Sequence, residues 1–132
     1  MILEIDTANG LAIYEQVVRQ VKFAVASGKL RSGELVPSVR ELSKQLAINP
    51  NTVARAFRQL QDEQVLESVR GLGMQVTPGA TRKCRADRKT LIADRLRNVL
   101  GEARRSGLTR VDVRNLVDKE LATFAEHEEV ES

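Results

Sequence analysis

The sequence has no tryptophan, one tyrosine and three phenylalanines, so any core it builds is aliphatic. A single cysteine, Cys84, excludes an intrachain disulfide and any cysteine-rich metal site, and it fits a reducing compartment. No apolar run approaches the roughly 18 residues a membrane-spanning helix needs. Acids stand near the start, in Met1-Ile2-Leu3-Glu4-Ile5-Asp6, where a signal peptide carries bases. These absences lead to the expectation of a soluble cytoplasmic protein with no membrane partner. No P-loop, nucleophile elbow or HExxH motif occurs, so nothing supports an enzyme or a cofactor.

With 132 residues the chain has room for one small domain and an appendage, but not for a TIM barrel. The net charge of +3 is too mild to imply nucleic acid by itself. Its distribution says more. Residues 82–89 hold Arg82, Lys83, Arg85, Arg88 and Lys89 against Asp87, and four acids lie between Glu126 and Glu131. Such an acidic tail is ordinarily solvated.

Residues 2–5 read as an extended segment, followed by turn residues up to Gly10. From Ala12, the spacing of Tyr14, Val17, Val18, Val21, Ala24 and Val25 predicts a helix that Gly28 ends. Residues 28–37 read as a connector. Ser38-Val39-Arg40-Glu41 is a capping box that opens a short second helix, with Val39, Leu42 and Leu46 inward. Asn49 caps a third helix and Pro50 takes its first position, where the missing N–H costs nothing. That helix runs to about Glu63 with Val53, Phe57 and Leu60 inward. At 100° per residue, Asn51, Arg55 and Arg58 fall on the opposite face, with Thr52 beside them. Val65–Val69 and Met74–Val76 read as a hairpin around Arg70-Gly71-Leu72-Gly73.

Two short helices joined by a tight turn suit the major groove of DNA. Asn pairs with adenine edges, Arg with guanine O6/N7 or phosphate, and Thr with phosphate or a thymine methyl. Arg40 reinforces the phosphate-binding start of the second helix. Arg70 at a glycine-bearing hairpin tip can lie along the neighbouring backbone or minor groove, where glycine permits close approach. For one amphipathic helix alone, a solvated polar face is the ordinary reading. The ordered set of capped helix, Asn-Pro helix and Arg-Gly-x-Gly hairpin favours nucleic acid. The rival is a winged-helix module that binds a protein partner without sequence-specific DNA binding.

Residues 12–78 resemble the winged helix-turn-helix domain of GntR-type regulators. The resemblance lies in Ile13-Tyr14-Glu15-Gln16, Gly28-Lys29-Leu30, Gly33, Leu35–Leu42, Asn49–Ala56 and Arg70–Gly73. It implies DNA contacts from Arg40, Asn49, Asn51, Thr52, Arg70 and Gly71, and Ser38 at the start of the second helix is a further candidate. Arg55 and Arg58 join them by their place on the helix face. Many relatives carry a basic residue where Leu72 stands and Thr-Phe where Met74-Gln75 stand.

Only 54 residues follow Pro78, too few for the large ligand domains of other GntR branches. The short tail is similar to that of YtrA-like members, which implies a small helical dimerisation region. The expected layout is mainly α with a small β-hairpin: a winged domain over residues 1–78, a basic linker over 79–90 and a two-helix dimerisation or effector region over 91–132. In that last region one helix carries Leu91, Ile92, Leu96, Val99, Leu100 and Ala103. A second, capped by Thr109, carries Val113, Leu116, Val117, Leu121 and Phe124. Leu96, Leu100, Leu116 and Leu121 are the candidate seam of a homodimer, because a lone helix pair cannot bury both stripes. The expected partners are a double-stranded operator and a second copy, with an effector of unknown identity. Cys84 among bases is a weak redox candidate, and His127 in the acidic tail a weak metal candidate against a solvated tail.

Overall fold

The computed structural model describes residues 3–131, with side chains through residue 124. Its elements are α1 (Ile13–Ser27), α2 (Val39–Leu46), α3 (Pro50–Asp62), β1 (Leu66–Val69), β2 (Gly73–Val76), α4 (Ala80–Arg105) and α5 (Arg110–Glu131). They form two units, Met1–Thr90 and Leu91–Ser132. The architecture is mainly α with one antiparallel hairpin, as the sequence predicts.

In the first unit α1 buries Val17, Val18, Val21 and Val25, spaced by a helical turn. Gly28 stops it in a left-handed conformation at φ +85°, its N–H donating to the Val25 carbonyl at 3.2 Å. Two glutamines of α1 hold the N-terminal segment. The Glu4 N–H donates to Gln20 Oε1 at 2.6 Å, and the Asp6 N–H donates to Gln16 Oε1 at 2.8 Å. The Gln16 amide donates back to the Asp6 carbonyl at 2.7 Å, which is how this polar side chain stays buried without a desolvation penalty. Leu3 joins the core beneath.

The capping box of α2 is complete: the Glu41 N–H donates to Ser38 Oγ at 3.1 Å and the Ser38 N–H to Glu41 Oε1 at 3.4 Å. Helix α2 ends at Ala47, which is left-handed at φ 54°. Two residues later Asn49 caps α3, its Oδ1 accepting from the Asn51 N–H at 2.8 Å. Leu42 from α2 and Val53, Ala56, Phe57 and Leu60 from α3 are buried together.

The hairpin pairs Leu66 with Val76 and Val69 with Gly73, leaving Arg70-Gly71-Leu72 as its tip. Gly71 at φ +81° and Gly73 at φ +114° take conformations that would strain a side chain. Residues 33–36, expected as plain connector, lie along the free edge of β2. The Gly33 N–H donates to the Val76 carbonyl at 2.8 Å, the Val76 N–H to the Glu34 carbonyl at 2.9 Å and the Val36 N–H to the Met74 carbonyl at 2.9 Å. This pairing satisfies the edge that a two-stranded ribbon leaves open. It is non-local, so no short-range pattern announces it.

The expected linker at 79–90 is instead the start of a helix. Helix α4 begins at Ala80, and both Ala80 and Cys84, one turn apart, are buried in the core of the first unit. Lys83 Nζ donates to the Glu63 carbonyl, and Arg85 Nε to the Ala26 carbonyl at 3.1 Å. Cations of this basic stretch therefore serve partly as anchors.

In the second unit α4 closes in a Schellman motif. Gly107 is left-handed at φ +91°, its N–H donates to the Arg104 carbonyl at 3.1 Å and the Leu108 N–H to the Ala103 carbonyl at 3.1 Å. Thr109 and Asp112 cap α5 reciprocally, at 3.0 and 3.2 Å. The Thr109 N–H, then its hydroxyl, hold the Asp112 carboxyl below its ordinary value. Leu96, Leu100, Leu116 and Leu121 are 51%, 39%, 55% and 54% exposed, so a single chain leaves them in water. A groove of about 500 Å³ remains between the helices, lined by Leu96, Leu100, Leu108, Val113 and Val117 with Arg104, Arg110 and Arg114.

Candidate nucleic-acid interface

Every residue expected at the interface is accessible. Ser38, Arg40, Asn49, Asn51, Arg55, Arg58, Arg70 and Gly71 are exposed, and Thr52 is half-buried. All belong to the first unit. Their hydrogen bonds divide them by task.

Ser38 and Asn49 accept from backbone N–H groups at the starts of α2 and α3. Capping uses their oxygen lone pairs and leaves the Ser38 hydroxyl proton and the Asn49 amide protons available. A phosphate oxygen needs donors of that kind. Arg40, in the first turn of α2, and Arg70, at the hairpin tip, have no ion-pair partner among the described residues and present free charge. Asn51 donates only its backbone N–H, so its side-chain amide is free to make a bidentate contact. Arg58, on the same helix, has no ion-pair partner among the described residues.

Arg55 is held differently. Its guanidinium carbon lies 3.7 Å from the centroid of the Tyr14 ring, a cation–π stack reaching from α3 to α1. Helical spacing assigns Tyr14 to the apolar stripe of the first helix, and the family resemblance includes it without a role. The contact joins residues 41 positions apart, beyond any local pattern.

The far end of α3 is anchored by a second feature invisible to periodicity. Lys22, 5% exposed on α1, places Nζ 2.6 Å from Glu63 Oε1 and 3.5 Å from Asp87 Oδ2 of α4. Burial pushes the Glu63 carboxyl up, but hydrogen bonds from Lys22 and Gln59 and the charges of Lys22 and Lys83 outweigh it, so it sits below its ordinary value. Arg55 and Glu63 thus tie the middle and the C-terminal end of α3 to α1.

The two weak chemical candidates fare differently. Cys84 is fully buried, and burial raises its thiol above the ordinary value despite the nearby Lys22 charge. The weak redox candidate finds no support: Arg82, Lys83 and Arg85 are exposed while the sulfur is buried, and burial outweighs the lowering charges of Lys22 and Lys83. His127 lies outside the residues whose side chains are described. Among the described residues no group of three or more His, Cys, Asp or Glu could hold a metal ion, and no helix is long and apolar enough to cross a membrane.

A tight two-helix turn whose second helix turns a polar face outward, followed by a glycine-tipped hairpin, defines a winged helix-turn-helix DNA-binding protein. Comparison with known proteins agrees. Residues 13–76 match the family described as bacterial regulatory proteins, gntR family. The chain is 32% identical over 106 residues to the HTH-type transcriptional repressor YtrA of Bacillus subtilis, covering 80% of this chain and 82% of that one. It is similar to the solved structure of a GntR family transcriptional regulator from Listeria monocytogenes, with a TM-score of 0.66, 28% identity and coverage of 87% and 98%. The AraR DNA-binding domain, solved in complex with operator ORX1, matches with a TM-score of 0.50 and 26% identity over 58% of this chain and 99% of that one. The chain belongs to the GntR family, on its YtrA-like branch. It is a DNA-binding transcription regulator.

Proposed function

We propose that the protein is a homodimeric repressor that binds a near-palindromic operator and blocks promoter access. It would act in the cytoplasm as a binding protein and not as an enzyme. The observation that carries this reading is the α3 face: Asn51 and Arg58 stand exposed, their side chains without a partner among the described residues, on a helix whose start is capped by Asn49. Asn51, Thr52, Arg55 and Arg58 would read base edges and the adjoining strand, while Ser38, Arg40, Asn49, Arg70 and Gly71 would grip the backbone. Repression is suggested by the name of the YtrA relative. Dimerisation is supported by Leu96, Leu100, Leu116 and Leu121, which a second copy would cover. Two-fold protein symmetry then calls for an inverted repeat in the DNA. An effector would act only through its difference in affinity between two arrangements of the dimer.

Selection of duplexes from a random library by the full-length protein tests the reading. An inverted repeat with half-sites about one helical turn apart is the expected product. Recovery of unrelated sequences would show binding without readout and would favour the protein-partner alternative.

A further inference from the structure

The Tyr14–Arg55 stack ties the outward face of α3 to α1. An arginine side chain on a helix surface samples many rotamers, and fixing one on binding has an entropic cost. Arg55 is spared much of that cost. Its guanidinium already rests 3.7 Å above the Tyr14 ring, and the ring is itself packed against the core. Stacking occupies the flat face of the guanidinium and leaves the N–H donors on its edge free. No acid competes for them, since Arg55 forms no ion pair among the described residues. The Tyr14 hydroxyl takes no part, because it donates to Glu15 Oε1 at 3.3 Å.

We propose that Tyr14 is a positioning residue for DNA readout: its ring holds Arg55 so that the guanidinium edge meets a guanine in the major groove. This rests on the reading of α3 as the recognition helix. Specificity at one base pair of each half-site then depends on α1, an element that itself contributes no DNA contact to this interface.

The test compares duplexes selected from a random library by the full-length protein and by Arg55→Ala, Tyr14→Phe, Tyr14→Leu and Tyr14→Met, with thermal unfolding of each. Arg55→Ala should lose preference at one base pair per half-site. Tyr14→Phe keeps the ring and should select as the unmodified protein does. Tyr14→Leu should weaken preference at the base pair that Arg55 reads, roughly two- to fivefold, the worth of an exposed cation–π contact. Tyr14→Met serves the same purpose should the leucine variant not fold. The effect should vanish in the Arg55→Ala background. Lost stability alone would lower the active fraction without changing relative base preference. If Arg55→Ala changes base preference while neither Tyr14→Leu nor Tyr14→Met does, the positioning role is overturned and the recognition helix stands. If Arg55→Ala leaves base preference unchanged, the reading role of Arg55 falls and the proposal with it.

Discussion

Lys22 and Glu63 meet at 2.6 Å, joining α1 to the C-terminal end of α3 through an ammonium that is almost wholly buried. Removing one partner of a fully buried pair costs about 3–5 kcal/mol. Because the Glu63 side chain is 30% exposed, solvent screening lowers the expected cost of Glu63→Gln to about 1–2 kcal/mol at neutral pH. The carboxyl is depressed in the folded state, so its contribution is complete above the ordinary value of 4.5 and is lost as pH falls through the lower folded value. Denaturant titrations of both proteins at several pH values should show the gap closing on acidification. A gap that widened as pH fell would contradict the pair's role.

Cys84 should behave as a core residue. Its sulfur is inaccessible and its thiol is pushed up by burial, so alkylation of the folded protein should be far slower than of the unfolded chain. Labelling followed by mass in native buffer and in denaturant checks this. Equal rates would return Cys84 to the surface.

The legible part of the fold was local. Ser38 with Glu41, Asn49 with Pro50, and Gly28 each announce an element boundary through one side chain or one φ angle, and the structure shows each boundary there. The exposed face of Asn51, Arg55 and Arg58 followed from helical spacing alone. What escaped was non-local. Residues 33–36 form an edge only because β2 offers one. Ala80 and Cys84 carry the only inward signal in a stretch dominated by cations, too sparse to set against charge. Neither the Lys22 clasp nor the Tyr14 stack has a sequence signature, because each joins residues that folding alone brings together.

The place of α4 bears on truncation. A fragment ending at residue 78 loses Ala80, Cys84 and the Asp87 and Lys83 contacts, whereas one ending at residue 90 keeps them. The longer fragment should melt at higher temperature, by about 2–4 kcal/mol of stability given the apolar side chains restored to the core. It should still bind operator about 10²–10⁴-fold more weakly than the full chain, because the second half-site is no longer linked. Equal melting of the two fragments would place α4 outside the core, and full operator affinity from a monomeric fragment would refute the dimer.

The exposed stripe makes a separate prediction. Leu100→Asp or Leu116→Asp puts a charge where a second copy would pack, and sedimentation should then show monomers with the thermal transition of the winged domain retained. Dimers surviving both substitutions would move the interface away from α4 and α5.

In the proposed complex the α3 face reads sequence while Arg40 and the wing tip hold the backbone. Binding of full-length protein to its selected duplex and to a scrambled one, measured across about 50–200 mM salt for Arg40→Ala, Arg70→Ala and Asn51→Ala, separates the two roles. Arg40→Ala and Arg70→Ala should weaken both duplexes alike and reduce the salt slope by about one each. Asn51→Ala should keep the slope and lose about 1–3 kcal/mol on the selected duplex alone, narrowing the gap between the two. If Asn51→Ala instead lost affinity equally on both duplexes, the α3 face would not be the reading surface.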